Sequence, residues 1–329
     1  MSGASWEEAL FVDRAAPDRD APVSPFVALQ RVVVRMLFDP VFVARVYDDT
    51  AGALAGLDLD AGLVAQLLEN DRRLWNADRL RRSRALRILM DEFKVSATLV
   101  LRERRRLDWL DAFFGSPEFH SAVQSRDYMA LAFVAFLERG FADGSLRSPE
   151  LSAVLELEAE MARSRRELRD ARRGHDRALR AVESGAAGRR VVAGPGVRDI
   201  CLPGGVLEIV QHIEKYLFEL SLVPALALCE DVPVPDPLPA LRTDVADCWL
   251  FEPRRGGKVE LSCISGAVSR VINACGRPVS VDLLASALAG DALDREEVTD
   301  LAAQLVDAGV LREVDVDDRG AVRAIAVAG

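Results

Sequence analysis

Five cysteines and three histidines are the side chains here best suited to covalent or metal chemistry, and their spacing assembles none of it. Cys201, Cys229, Cys248, Cys263 and Cys275 are odd in number and include no CxxC pair. None has the spacing of a zinc site or a redox dithiol, so each reads as a small buried or half-buried residue. His120, His175 and His212 lie far apart, and none opens an HExxH frame. No GxSxG or Walker A run occurs. Gly194-Pro195-Gly196 and Gly204-Gly205 do not fit a strand–GxGxxG–helix unit, because Pro195 has no N–H to offer a phosphate. Carboxylates are plentiful, yet no pair sits in the kind of apolar setting that would separate two pKa values. The expectation is therefore no catalytic residue and no metal ligand in this chain.

The charged residues say more. Acidic side chains outnumber basic ones 52 to 42, a net charge of −10, which argues against general binding to a phosphate lattice. Within that acidic chain, residues 71–108 concentrate arginine and lysine, among them Arg79, Arg81, Arg82, Arg84, Lys94 and Arg105. The plain reading is a solvated face paired with Asp78, Asp91, Glu92 and Glu103. The alternative is a contact surface for an acidic partner, since guanidinium groups suit bidentate carboxylate recognition. Trp75 and Phe93 are the aromatics of the segment, too few for a base-stacking surface.

The elements carrying these residues follow from periodicity and punctuation. Residues 1–23 show little periodicity and read as a loose arm. Residues 24–147 read as a helical domain. Ser24-Pro25 starts a helix with apolar residues recurring at Phe26, Leu29, Val33 and Leu37, further helices cover about 58–70 and 78–93, and another runs on through Val95, Leu99, Leu101, Leu107 and Leu110. Gly115 closes one helix, Ser116 caps the next with Pro117 in its first turn, and the nearly all-apolar run 128–137 belongs in a core. Residues 148–239 hold one long charged helix (148–182), short β character at 190–202, a helix at 206–222 and a Pro-rich stretch at 232–239 that marks a boundary. Residues 240–329 have a different order: a hairpin around Arg254-Arg255-Gly256-Gly257, three helices (265–275, 280–289, 294–308), and a hairpin around residues 317–320. Hairpin, three helices, hairpin is the order of a winged-helix domain. The fold expected is mainly α with a small α+β part. The longest apolar runs do not span a bilayer, and residues 1–20 lack a signal-peptide core. With no cysteine framework, a reducing cytoplasmic location is expected.

Four blocks of the first half carry a resemblance: 78–86 (Asp-Arg-Leu-Arg-Arg-Ser-Arg-Ala-Leu), 91–96 (Asp-Glu-Phe-Lys-Val-Ser), 113–120 (Phe-Phe-Gly-Ser-Pro-Glu-Phe-His) and 126–133 (Arg-Asp-Tyr-Met-Ala-Leu-Ala-Phe). Together they resemble the partner subunits of multinuclear non-haem iron oxidases, as in the biosynthesis of methanobactin and of 3-thiaglutamate peptides. The likeness spans roughly 25–140 and, more loosely, 196–205. It implies that this chain holds no cofactor of its own. Iron would reside in a TIM-barrel oxidase that modifies a cysteine of a ribosomally made peptide, and this chain would form a heterodimer with that oxidase through Arg79, Arg81, Arg82, Arg84, Lys94 and Arg105.

The helices at 265–275, 279–288 and 298–311 resemble the PqqD-like recognition element of ribosomal peptide (RiPP) biosynthesis. There a leader peptide adds as a strand beside a hairpin and packs on the third helix. Carried onto this sequence, the edge is Lys258, Val259, Glu260 and Leu261, and the helix face is Val298, Leu301, Leu305 and Ala308. The competing reading, a winged-helix transcriptional regulator, meets five acids on its recognition helix, Asp294, Glu296, Glu297, Asp300 and Asp307, against Arg295 alone.

Overall fold

The computed structural model describes residues 25–57, 59–78, 80–125, 127–172, 188–222, 235–254, 258–290, 293–316 and 322–324. The expected arm at 1–23, Arg79, His175, Cys229, the end of the long helix and both hairpin tips lie outside the described residues. The fold is mainly helical with a small antiparallel β part. It divides into two compact units, Met1–Glu92 with Arg104–Leu146, and Phe93–Glu103 with Arg147–Gly329. No helix among the described residues is long and apolar enough to cross a membrane.

The first unit begins with α1 (Pro25–Phe38), α2 (Pro40–Asp48), α3 (Thr50–Ala53), α4 (Ala61–Glu69) and α5 (Arg81–Glu92). Helix α6 (Lys94–Arg104) belongs mostly to the second unit, and α7 (Asp108–Asp111), α8 (Pro117–Ser125) and α9 (Met129–Ala142) complete the first. The chain stops between α1 and α2 because Asp39 is an N-cap: its side chain accepts the Phe42 N–H at 3.0 Å, and Pro40 opens the new helix. The three- and four-residue spacing of α1 then buries Val32 and Met36 against Phe42, Val43, Val46, Leu67 and Trp75. A second core is aromatic, with Phe113 edge-on to Phe119, Phe133 and Phe136 at 5.2–5.6 Å. Ser116 caps α8 as expected, its hydroxyl accepting the Phe119 N–H at 3.2 Å. The helix expected to run on through Leu110 instead ends at Arg104, because Arg105 turns left-handed (φ 56°).

The second unit adds α10 (Pro149–Arg172), β1 (Gly188–Ala193), β2 (Arg198–Gly204), α11 (Val206–Leu222), β3 (Arg242–Pro253), β4 (Val259–Ile264), α12 (Gly266–Ala274), α13 (Val281–Leu288), α14 (Arg295–Asp307), β5 (Leu311–Val316) and β6 (Val322–Ala324). Hairpin, three helices, hairpin is the observed order of its last part. The caps are those the residues announce. Ser265, Ser280 and Asp294 each accept a backbone N–H at the start of their helices, and Asp294 forms a capping box with Glu297. Gly309 follows α14 at φ 76°.

The strands form two antiparallel three-stranded sheets, ordered β1-β5-β6 and β2-β3-β4. Strands β1 and β2 precede the Pro-rich stretch in sequence yet pair with strands that follow it. Leu250 of β3 joins the core of α12–α14 with Val271, Ile272, Cys275, Leu284, Val298 and Leu305. Phe251, one position on and so on the opposite face of the sheet, is wholly buried as well. Helix α10 packs on β2 and β3, so its first half is core rather than solvated rod: Leu151, Val154, Leu155, Glu158 and Ala162 are all buried. The Gly194-Pro195-Gly196 motif is a turn pressed onto this helix. Gly196 (φ +77°) passes so close to α10 that a Cβ would meet the Ser164 carbonyl oxygen at 2.6 Å, and the Ser164 hydroxyl donates to the Gly196 carbonyl at 2.5 Å.

Candidate functional site

Strand β4 ends the β2-β3-β4 sheet, so its outer side has no strand partner among the described residues. Such an edge presents backbone donors and acceptors that an extended peptide can complete. Lys258 closes the hairpin by accepting the Arg254 N–H at 2.8 Å and is exposed. Glu260 is exposed and pairs with Arg254 at 2.9 Å. Val259 and Leu261, half-buried, stand opposite Pro253 and Phe251 on one face, while Glu260 and Ser262 stand opposite Glu252 and Leu250 on the other.

The α14 positions divide differently. Val298 (0% exposed) and Leu305 (8%) are core members, Leu301 packs against the same core, and Ala308 is exposed at the end of the helix. Helix α14 packs on α13 and β5. Since Leu250 belongs to the helical core, Glu260 lies on the helix side of the sheet, and Val259 and Leu261 lie on the far side. The eight positions therefore do not form one surface. Among the described residues no further strand pairs with β4, and of the four positions on or capping α14 Ala308 is the exposed one.

The basic positions are largely engaged. Arg82 donates to the Asp111 carboxylate and, at 3.0 Å, to the Asp111 carbonyl. Arg81 reaches the Leu37 carbonyl at 3.2 Å, and Arg84 pairs with Asp78. In the second unit Lys94 pairs with Glu214 at 2.5 Å and Arg102 with Asp236. Arg105 is exposed and makes no ion pair among the described residues. Most of these side chains are thus engaged, Arg84 by Asp78 as expected and Arg82, Lys94 and Arg102 by carboxylates outside residues 71–108.

Two buried polar groups escaped the sequence reading. In the first unit, His120 Nε2 lies 3.5 Å from Asp39 Oδ2, and both ring nitrogens are buried. Burial works to raise the Asp39 carboxyl, but His120, the Phe42 N–H and Arg35 outweigh it and hold Asp39 below the usual carboxylate range. Asp39 also lines an open cleft of about 340 Å³ with Phe38, Val41, Arg82, Phe136 and Arg139. Arg82 is matched by Asp111 and Arg139 by Glu118 at 2.9 Å, so the cleft offers apolar wall more than net charge. In the second unit, Glu158 is buried with its carboxyl raised to about 7 by that burial. Its helical spacing from Leu151, Val154 and Ala162 was the one available signal.

The cysteines require a correction. Cys201 of β2 and Cys248 of β3 form a disulfide, because they are directly opposed in the antiparallel register with Cα atoms 4.0 Å apart. A separation of 47 residues hides that pairing until the strands are placed. Cys263 is a free exposed thiol and Cys275 a free buried one, its thiol pushed up to about 12 by burial. Among the described residues no three His, Cys, Asp or Glu side chains converge as a metal site would require. No protein-family model matches the chain, and no curated protein matches it.

Proposed function

We propose that this chain is a non-catalytic, cytoplasmic adaptor subunit that captures the leader of a ribosomally made precursor peptide. It presents the peptide's core, a cysteine by resemblance, to an iron-containing oxidase. The observation that supports the reading is the terminal strand β4, whose outer edge has no strand partner among the described residues and which lies beside a three-helix core. The physics of capture is β-augmentation: main-chain hydrogen bonds along β4 supply affinity, and pockets for alternate side chains supply specificity. The side-chain geometry favours the Val259–Leu261 face or the Ala308 end of α14 over the buried part of that helix.

The regulator reading finds less support. Glu296, Glu297, Asp300 and Asp307 are exposed along α14, and a phosphate backbone would be repelled there. Co-expression of a tagged copy with each neighbouring reading frame tests the proposal. Recovery of an iron-containing barrel protein that modifies a cysteine peptide only in the presence of this chain supports it. Recovery of no protein, with tight binding to the chain's own upstream DNA, overturns it.

A further inference from the structure

The cleft of the first unit, walled by Phe38, Val41 and Phe136, leaves side-chain hydrogen-bonding capacity of one kind unspent. Its acceptor is used. Asp39 Oδ1 accepts the Phe42 N–H, and Oδ2 lies 3.5 Å from His120 and 3.8 Å from Arg35. Its donors are not used up. Arg82 engages Asp111 through Nε and Nη2, so the Nη1 hydrogens have no acceptor among the described residues. Arg139 meets one Glu118 oxygen through Nε at 2.9 Å. The other Glu118 oxygen is buried and makes no hydrogen bond, so Glu118 does not occupy the Nη groups of Arg139.

Both arginines line the cleft, whereas Asp111 and Glu118 do not. Each carboxylate therefore holds its guanidinium from outside the cleft and leaves the remaining N–H groups to a ligand. Aromatic rings steady the same groups: Arg82 lies 5.7 Å from the Phe114 centroid and Arg139 5.5 Å from that of Phe136. We propose that this cleft binds a small monocarboxylic acid with an aromatic or branched apolar body. The unspent donors of Arg82 and Arg139 take the carboxylate, and the body lies against Phe38, Val41 and Phe136.

Charge and size select that class. Asp39, Asp111 and Glu118 stand against Arg35, Arg82 and Arg139, so the cleft has directed donors without a cationic excess. A single negative charge suits it better than a phosphate or a nucleotide. A volume of about 340 Å³ is at the small end of ligand pockets, enough for one ring or branched chain. Val41, 69% exposed, is the apolar surface that such a body would cover. The inference goes beyond the peptide-adaptor reading and does not rest on it, since the cleft belongs to the first unit and β4 to the second.

Gly115 supplies a block. It lines the cleft, and a Cβ there meets no atom within 4 Å, so Gly115→Leu should fill the cleft without straining the fold. The test is an NMR titration of the full chain with phenylacetate and with phenylacetamide, followed at the amides of Val41, Ala112 and Gly115. Phenylacetate is expected to shift those amides saturably at roughly millimolar concentration, and phenylacetamide to bind about tenfold more weakly or worse. Arg139→Lys keeps a charge beside Glu118 but loses the fork, and should weaken the acid several-fold while leaving the amide unchanged. Gly115→Leu should abolish both, with the thermal unfolding midpoint retained. Val41→Asp, at an exposed position, is the second block and should weaken the acid at least as much as Arg139→Lys. Equal affinity for acid and amide overturns the proposal. So do saturable shifts confined to other amides, no shift at about ten millimolar, or undiminished phenylacetate binding by both blocked chains.

Discussion

Glu158 caps the helix that carries Ser96: one carboxylate oxygen accepts the Ser96 N–H at 2.9 Å and the other the Val95 N–H at 3.1 Å. The arrangement is reciprocal. Glu103, near the end of α6, accepts the N–H groups of Arg147 and Ser148 at 2.8 and 3.3 Å, where the chain enters α10. Each helix start thus receives a carboxylate from the other helix, which satisfies orphan donors and complements the positive end of the dipole.

Glu158 makes stability depend on pH. Burial raises its carboxyl from 4.5 to about 7, outweighing the Ser96 and Val95 donors. The folded pKa is the higher one, so between those values the folded chain holds more protons than the unfolded chain. The contribution of Glu158 to stability is therefore full below pH 4.5 and is lost as pH rises through about 7. Glu158→Gln should flatten that segment of the stability curve, a difference of about 3 kcal/mol. Urea unfolding midpoints on both sides of the window measure it.

Gly196→Ala should destabilise the second unit by roughly 2 kcal/mol or more, from a left-handed backbone and a Cβ driven onto the Ser164 carbonyl. Thermal unfolding reads this, with Gly144→Ala (φ +76°, open space around the Cβ) as the comparison expected to cost less.

The α14 positions separate core from surface. Val298→Ala should cost about 1–3 kcal/mol through the cavity it leaves in a wholly buried site. Ala308→Arg, at an exposed position, should leave the unfolding midpoint within roughly 0.5 kcal/mol. Peptide affinity that falls in the second variant, with stability unchanged, assigns the helix end to the interface.

The basic positions separate in the same way. Arg82→Ala should cost about 1–2 kcal/mol, because it removes a part-buried pairing with both the carboxylate and the carbonyl of Asp111. Arg84→Glu combined with Arg105→Glu touches exposed groups and should spare the fold. If the basic face docks an acidic partner, that double reversal should weaken capture roughly tenfold or more, read by titration calorimetry.

Much of the local structure was legible because its causes are local. Ser116, Ser265, Ser280 and Asp294 announce their helices by cap chemistry, and Gly309 announces a stop. The apolar run in α9 announces a core. What was not legible depends on pairing at long range. The Pro-rich stretch marks no break in the sheets, since Val192 of β1 pairs with Arg312 and Cys201 of β2 with Cys248. Removing residues 240–329 would therefore strip β1 and β2 of their strand partners. Arginine content suggested a docking face, but composition does not reveal that Asp111, 29 residues along the chain, already holds Arg82. The β4 edge was legible as a strand, whereas its face assignment, with Leu261 opposite Phe251 and away from α14, required the register.

On the proposed reading, an extended peptide adds to β4. Hydrogen–deuterium exchange on the full chain, with and without peptides encoded by neighbouring reading frames, tests the proposed addition. New protection is expected to concentrate in the amides of Val259–Ile264, with smaller changes at the end of α14. A peptide that binds while those amides exchange unchanged, and protects another surface instead, contradicts it.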